Sequence, residues 1–505
     1  MCRYTTSDAA ASVSAVIAMP FSMNRSIVLV KMGIVWATLP RMDSARLGSG
    51  SRSDWRPNVN RRRGVLYLAI VDALRESIRS GDLRPGDRMP THRDLARHLG
   101  VNISTVTHAY AEASRLHLLS GQVGRGTFVL GESVDAALFA ATYTAPLTDD
   151  TRTVIRTHID LSSNIPARKP DDRDLARTFA QIAKDDRCNA GYLSPSDVEK
   201  GRVVVSELLL RRGFSARRND IVLAAGAQQG LLAALIAVAG AGSRVMAEEL
   251  TFPGMKSVVR HLNLTTFGVA IDHEGLVAED LARVARRSGA TVIVCVPSLQ
   301  NPTGTTMSEQ RRQEIAEVVR RRNLTVIEDD VYGLLQNEMS LTSLIPDLAI
   351  LVTSLSKSVA PGLRLGALAG RHPALASIAR DVSLTSWVLS PMMVEVAGRW
   401  LSDGTIDERI AWQRSEIASR CQLVDALLGV VGPRSPHRWL STQTAPEKAA
   451  RLASEAGVEV VAGSALALSA RVPKGIRLSL TAACSRSELH EAVTRLQSTA
   501  IRWAF

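Results

Sequence analysis

Apolar and polar positions alternate with two different periods, and the change of period divides the chain. Between Tyr67 and Ile78 the apolar residues are Tyr67, Ile70, Val71, Leu74 and Ile78, spaced three or four apart like one buried face of a helix. Gly81 is placed to end that helix, and Gly81-Asp82-Leu83-Arg84-Pro85-Gly86-Asp87 has turn chemistry. Thr91 and Asp94 form a variant capping box that opens a short helix through Leu99. Gly100-Val101 makes a tight turn, and Asn102 caps a further helix from Ile103 to about Leu116. Two helices joined by a short glycine-containing turn predict a helix-turn-helix, whose second helix enters the major groove of DNA. It would offer Asn102, Ser104, Thr105, Thr107 and His108. Gly121-Gln122-Val123-Gly124-Arg125-Gly126-Thr127-Phe128-Val129 then alternates as a β-hairpin wing does, with Arg125 at its tip.

From Ile159 onward short apolar strands alternate with long helical patterns and glycine turns, which predicts an α/β domain. Asp220 to Ala224 is a strand feeding Ala225-Gly226-Ala227-Gln228-Gln229-Gly230 and an apolar helix, and backbone amides at such a helix start suit a phosphate. Three more strands are predicted at Thr291–Val296, Leu324–Tyr332 and Ala349–Ser354. The second ends in carboxylates and a phenol, and Lys357 lies just past the third. Polar groups beyond the carboxyl ends of parallel strands mark the ligand crevice of an open sheet.

Composition changes this picture in a few places. A hydrophobic fraction of 46% and a charged fraction of 22% over 505 residues belong to a globular chain of two to four domains. The net charge is +12, and residues 54–129 hold 12 arginines, no lysine and 7 acidic residues, so nearly half of the excess sits on the helix-turn-helix segment. Cys2, Cys188, Cys295, Cys421 and Cys484 have no metal-ligating or paired spacing, which predicts reduced thiols in a cytoplasm and no metal site. Ala9–Met23 and Ile27–Pro40 are apolar but shorter than the roughly 18 to 20 residues of a membrane span. Residues 1–53 are therefore expected to be an extension outside the folded domains, and no membrane partner is expected. Gly131 to His158 lacks sustained periodicity and is expected to be a linker with a short helix, Val134–Ala141.

Gly81-Asp82-Leu83-Arg84-Pro85-Gly86-Asp87-Arg88-Met89-Pro90-Thr91-His92-Arg93-Asp94-Leu95-Ala96, together with the turn and the wing, resembles a GntR-family winged helix-turn-helix over residues 54–130. That resemblance adds Arg93 and Arg125 to the residues expected to touch DNA. Within a domain expected over 159–505, the region from about Leu161 to Ala482 resembles the fold-type I aminotransferases, with a large α/β domain and a smaller C-terminal α+β subdomain. The stretches that carry it are Gln300-Asn301-Pro302-Thr303-Gly304, Asp329-Asp330-Val331-Tyr332, Ser356-Lys357 and Pro361-Gly362-Leu363-Arg364-Leu365-Gly366. The resemblance implies pyridoxal 5'-phosphate (PLP), with Lys357 as the Schiff-base lysine and Asp329 as partner of the pyridine nitrogen. Asn301 and Tyr332 would bond the phenolic oxygen. Ala227, Gln228, Ser354, Ser356 and Arg364 would surround the phosphate, Phe252 would stack on the ring, and Tyr192 would reach the partner subunit's phosphate in a homodimer. Arg477 would grip an effector or substrate carboxylate, a bidentate task that suits arginine.

The chain departs from that pattern at Gly191-Tyr192-Leu193-Ser194-Pro195-Ser196, at Leu355 and at Leu480. The fused arrangement resembles the MocR-type regulators. It implies a DNA-binding transcription regulator that senses an amino compound by forming an external aldimine. The alternative is an active aminotransferase carrying an accessory DNA-binding domain.

Overall fold

The computed structural model describes residues 55–57, 59, 66–80, 82–83, 87–115, 118–122, 126–129, 158–185, 191–468 and 472–504. The expected N-terminal extension, the expected linker helix and Arg125 lie outside them.

The amino-terminal unit has three helices, α1 (Leu66–Ser80), α2 (His92–Leu99) and α3 (Ile103–Arg115), followed by β1 (Leu119–Gln122) and β2 (Gly126–Val129). The apolar stripe predicted for the first helix is its buried face: Ile70, Val71 and Leu74 pack with Leu95, Leu99, Val106, Tyr110, Leu119 and Val129 in one core. At the start of α2, Thr91 accepts from the Asp94 amide at 3.2 Å and donates its hydroxyl to the Asp94 carboxylate at 2.7 Å. The variant capping box thus closes through the hydroxyl. Gly100 ends α2 at φ 60°, in the left-handed region that glycine enters without strain. Asn102 Oδ1 then accepts from the Ser104 amide at 3.1 Å to open α3. β1 and β2 pair antiparallel as the predicted wing, and Asp87–Met89 lies along β2 through Met89 N–Thr127 O and Val129 N–Asp87 O bonds of 2.7 and 2.9 Å.

The large domain is built on β3 (Ile221–Ala224), α4 (Ala227–Val238), β4 (Arg244–Glu248), α5 (Pro253–His261), β5 (Thr265–Val269), α6 (Ala278–Ser288), β6 (Val292–Cys295), α7 (Glu309–Arg322), β7 (Thr325–Asp329), β8 (Ala349–Ser354) and β9 (Gly366–Ala369). The seven strands lie in the order β3-β9-β8-β7-β6-β4-β5. Pairing is parallel throughout except at β9, which runs antiparallel to both β8 and β3, so the sheet is mixed where the sequence pattern suggested parallel strands. Sequence alternation sets which face each residue meets. Val292, Val294, Ile327 and Val352 pack under α4 and α5, while Ile293, Cys295 and Val326 pack under α6 and α7. Both faces are covered, which explains why the strands are continuous apolar runs.

Beyond β9 the chain forms α8 (Pro391–Ser402) and the 24-residue α9 (Thr405–Leu428), then β10 (His437–Ser441), β11 (Val461–Ala462) and β12 (Gly475–Ser479). The last three form an antiparallel sheet with β12 central. Helix α9 belongs to two cores: Ile406 and Ile410 pack with Leu223, Leu363 and Trp400, whereas Ile417, Cys421 and Val424 pack with Leu161, Leu440 and Leu478.

The left-handed turn between α2 and α3 yields a direct test. Gly100→Ala should cost about 1 kcal/mol of local stability, because a Cβ is disfavoured at positive φ. Hydrogen exchange of the α2–α3 amides in the full chain should quicken accordingly, and unchanged protection would show that the turn relaxes freely.

Candidate functional site

The site gathers where β7 and β8 end and the chain leaves the sheet. Asp329 is the last residue of β7 and Ser354 the last of β8. The next residues close a tight turn, with Val359 N bonded to Leu355 O at 2.9 Å and Leu355 N bonded to Leu365 O at 3.0 Å. Lys357 sits at the head of that turn, and its Nζ donates to the backbone carbonyl of Asn164.

Asp329 is buried, and its carboxyl is raised to about 7. Burial is the main cause, the nearby Asp330 and Glu328 push the same way, and the Val331 amide at 3.3 Å and the Lys357 charge only partly offset them. Asp330 turns the other way. It is fully buried against Arg212, with Oδ1–Nη2 of 3.1 Å and Oδ2–Nε of 3.3 Å, and Arg212 also donates to Ser298 Oγ at 3.1 Å. Adjacent carboxylates thus have opposite surroundings. One is locked in an ion pair, and the other has no ion-pair partner among the described residues.

An anion cradle lies beside the lysine. Helix α4 starts at Ala227 with Gly226 as an N-cap that has no side-chain cap, so its first amides stay available. Arg364 takes a left-handed conformation, φ 49°, and crosses back to β3: Nη2 donates to the Ala225 carbonyl at 3.0 Å and Nη1 lies 3.5 Å from Ser356 Oγ. Ser354 Oγ donates to Ser356 Oγ at 2.9 Å. A Cβ on Gly226 would stand 2.6 Å from Arg364 Nη2, and one on Gly366 would stand 2.8 Å from the Gly226 backbone. Only glycines let these segments meet. Gln228 Nε2 donates to the Gly254 carbonyl at 2.9 Å, and Phe252, half-buried at the start of α5, lies against the same glycine.

A second group comes from the three-stranded sheet. Arg477, fully buried in β12, donates from Nη1 to Asn301 Oδ1 at 3.2 Å and from Nη2 to the Ser162 carbonyl. Tyr332 is buried, its phenol pushed well above the usual range by burial, and its oxygen accepts from Asn164 Nδ2 at 2.6 Å. The structure therefore joins Lys357 to Tyr332 through Asn164, Ser354 and Ser356 to Arg364 and Ala225, and Arg477 to Asn301, while Asp329 stands within reach of the Lys357 charge. Tyr192 stands outside this network. It is 75% exposed, and its ring packs on that of exposed Trp387 at 5.0 Å.

Residues that the sequence reading missed hold this site together. Asn164 links Lys357 to Tyr332, yet it lies next to the expected linker in a stretch whose only signal is the polar cluster before Pro166. His437 is buried at the start of β10, and its ring lies 5.5 Å from that of Tyr332. Gln300 Nε2 donates to Glu248 at 3.1 Å and to the Leu250 carbonyl at 2.7 Å, fixing the loop that presents Asn301. Glu248, buried, is raised to about 8 by desolvation.

On the helix-turn-helix, Arg93, Asn102, Ser104, Thr107 and His108 are exposed and Thr105 is half-buried. Thr107 Oγ1 donates back to Ile103 O at 2.9 Å, and His108 meets Tyr67 edge-on at 6.3 Å.

Comparison with known proteins follows this two-part layout. Residues 156–496 match the family described as aminotransferase class I and II, and residues 66–129 match bacterial regulatory proteins of the gntR family. The uncharacterized HTH-type transcriptional regulator YdeF of Bacillus subtilis is 28% identical over 88% of this chain and 96% of its own. The vitamin B6 salvage pathway transcriptional repressor PtsJ of Salmonella typhimurium is 26% identical over 84% of this chain and 98% of its own. Among solved structures, a kynurenine aminotransferase of Pyrococcus horikoshii superposes with a TM-score of 0.62 at 22% identity, covering 73% of this chain and 94% of that one.

The Asp329 carboxyl sets a pH dependence. A raised carboxyl favours its protonated form in the fold, so its contribution to stability is full below the ordinary aspartate range and is lost as pH rises through about 7. Denaturant unfolding of the ligand-free protein should show a fall in stability between pH 4 and 8, and Asp329→Asn should remove part of it. Glu248 supplies a remainder of the same sign. Identical pH profiles for both proteins would refute the buried-carboxylate account.

Proposed function

Because the chain belongs to the aminotransferase class I and II family and carries a gntR-family helix-turn-helix, the MocR-type arrangement, we propose that it is a DNA-binding transcription regulator whose large domain holds PLP and senses an amino compound. The observation that carries the cofactor reading is Asp329, a buried carboxylate with no ion-pair partner among the described residues, within reach of the Lys357 charge and near an uncapped helix start. Such a carboxylate is costly unless a cationic ring nitrogen completes it. The donors fit the rest of the molecule. The α4 amides at Ala227 and Gln228, the Ser354 and Ser356 hydroxyls and the Arg364 guanidinium would take the phosphate. Phe252 would cover the ring, and Tyr332 and Asn301 would bond its phenolic oxygen. When bound, PLP supplies an electrophilic carbon to amines and a ring that withdraws electrons from them.

The chain's own groups define what such an effector looks like. Lys357 would hold the cofactor, and an amine able to compete with it would act as effector. Arg477 offers a guanidinium to a carboxylate, and its bond to Asn301 Oδ1 keeps it aimed there. Asn301, with its oxygen so engaged, keeps its amide hydrogens for the cofactor. Tyr192, exposed on the surface, supports a homodimer in which it reaches the partner's phosphate cradle. Residues 54–130 would bind an operator through Arg93, Arg125 and the head of α3, and residues 131–158 would link them to 159–505. Among the described residues no helix is long and apolar enough to cross a membrane; the gntR-family match supports work on DNA in the cytoplasm. Effector binding shifts regulation only if it favours one arrangement of the dimer over another.

Turnover separates this reading from an aminotransferase with an accessory module, for which the Lys357, Asp329 and Arg477 set is also sufficient. Lys357→Ala should lose the visible absorption of bound cofactor and the effect of amines on operator affinity while still binding DNA. An amine response that survives in Lys357→Ala would sink the sensor reading. Keto-acid release at about 1–10³ per second would favour the enzyme. Arg93→Ala should flatten the dependence of log affinity on log salt by about 0.9 per lost phosphate contact. A slope equal to wild type would remove Arg93 from the DNA surface.

A further inference from the structure

His437 is fully buried and close to the site, yet nothing in the cofactor reading uses it. Its Nε2 lies 2.8 Å from the Gln300 carbonyl, and its Nδ1 lies 3.4 Å from Asn164 Nδ2. A carbonyl oxygen can only accept, so Nε2 carries the hydrogen. The ring is neutral. Burial drives its pKa down to about 3, and the charges of Arg477 and Lys357 push the same way against the Gln300 carbonyl. A neutral ring protonated at Nε2 leaves Nδ1 as an acceptor. Asn164 must therefore turn its NH₂ group, not its oxygen, toward His437.

That choice propagates. The same NH₂ group has a second hydrogen, which it donates to the Tyr332 oxygen at 2.6 Å. Had the Asn164 amide been flipped, its oxygen would face the Nδ1 lone pair and would draw the Tyr332 hydroxyl hydrogen onto itself. In the orientation that His437 selects, the Tyr332 oxygen is an acceptor toward Asn164 and its hydrogen is available elsewhere. A histidine in a core is usually satisfied by one backbone bond, and the Gln300 carbonyl alone would provide that. The Nδ1 contact is what couples this ring to the site.

We propose that His437 is a positioning residue: acting through Asn164, it fixes Tyr332 as a hydrogen-bond donor toward the phenolic oxygen of a ring held at Lys357. The proposal rests on the cofactor reading above. It adds that the polarity of the Tyr332 hydroxyl is set from the C-terminal three-stranded sheet, by a residue that does not itself touch the cofactor.

The consequence is spectroscopic. With a PLP ring held at Lys357, a donor on the phenolic oxygen would stabilise negative charge there and lower the pH at which the visible band changes. Tyr332→Phe should therefore raise the pH midpoint of the visible band by about one unit, the scale of one hydrogen bond to a charged group. His437→Phe should raise it in the same direction. The double variant should go no further than Tyr332→Phe alone, because both remove the same bond. His437→Asn, whose Oδ1 takes the hydrogen from Asn164, should restore the wild-type midpoint, and Asn164→Leu, which removes the oxygen that would compete for the Tyr332 hydrogen, should abolish the effect of His437→Phe. A midpoint unmoved by His437→Phe, a His437→Phe shift that persists in the Asn164→Leu background, or additive shifts in the His437→Phe, Tyr332→Phe double variant would overturn the proposal.

The cofactor reading fails separately. Selective ¹⁵N-histidine NMR of the ligand-free protein should show His437 protonated at Nε2 from pH 5 to 8. Its Nδ1 resonance should shift in Asn164→Leu. A ring protonated at Nδ1, or an Nδ1 resonance indifferent to Asn164, would refute the relay whether or not any cofactor binds.

Discussion

One carboxylate constrains the rest. Asp329 is buried at the end of a strand, and desolvation disfavours its charge unless a cation is brought to it. Its neighbour Asp330 shows the alternative solution, a fully buried pair with Arg212. Two adjacent acids facing opposite sides of one strand end give one permanent ion pair and one conditional one. The pair holds Asp330 charged, whereas Asp329, raised to about 7, keeps its proton unless a cation is brought to it. The cradle of Gly226, Ser354, Ser356 and Arg364 joins the turn after β3 to the turn after β8, so donors suited to an anion stand near an acid suited to a cation.

How much of this was legible in the sequence follows physical lines. Local devices were legible: the Thr91 cap, the left-handed Gly100 turn, the Asn102 cap and the apolar stripe of α1 each act within a few residues, and all are where spacing puts them. The strands leading to Asp329 and Lys357 were visible because both faces of a covered sheet are apolar. The antiparallel direction of β9 was not, since Gly366–Ala369 has the same composition either way and only the short return through Arg364 sets its direction. Resemblance supplied Asn301, Arg477 and Phe252. Asn164 and His437 escaped both routes. They lie 273 residues apart, and a buried histidine in a strand looks the same whether it fills space or orients a neighbour.

The two functions of the chain obey different electrostatics. The winged module has an excess of arginine, and Arg56, Arg75, Arg93 and Arg97 are exposed, where contacts with a polyanion are screened by salt and replaceable. The large domain keeps its important charges dry: Arg212, Asp330, Arg477 and Asp329 are all buried, where removal of one partner is costly. Under the proposed function, sensing an amine means converting a short-range change in a dry site into a displacement that long-range surface charges can report.

Helix α9 bears on how such a displacement can be made. Its first turns are packed into the core under β3 and its later turns into the core under β10 and β12, with no break between them. A single residue inserted in its middle would rotate everything beyond it by about 100° around the helix axis. Ile417, Cys421 and Val424 would then point away from the sheet that presents Arg477 and His437. Length variation among descendants of this chain should therefore collect in the turn at Gly429–Arg434, which follows the helix, and be absent from Thr405–Leu428, where helical phase ties one core to the other.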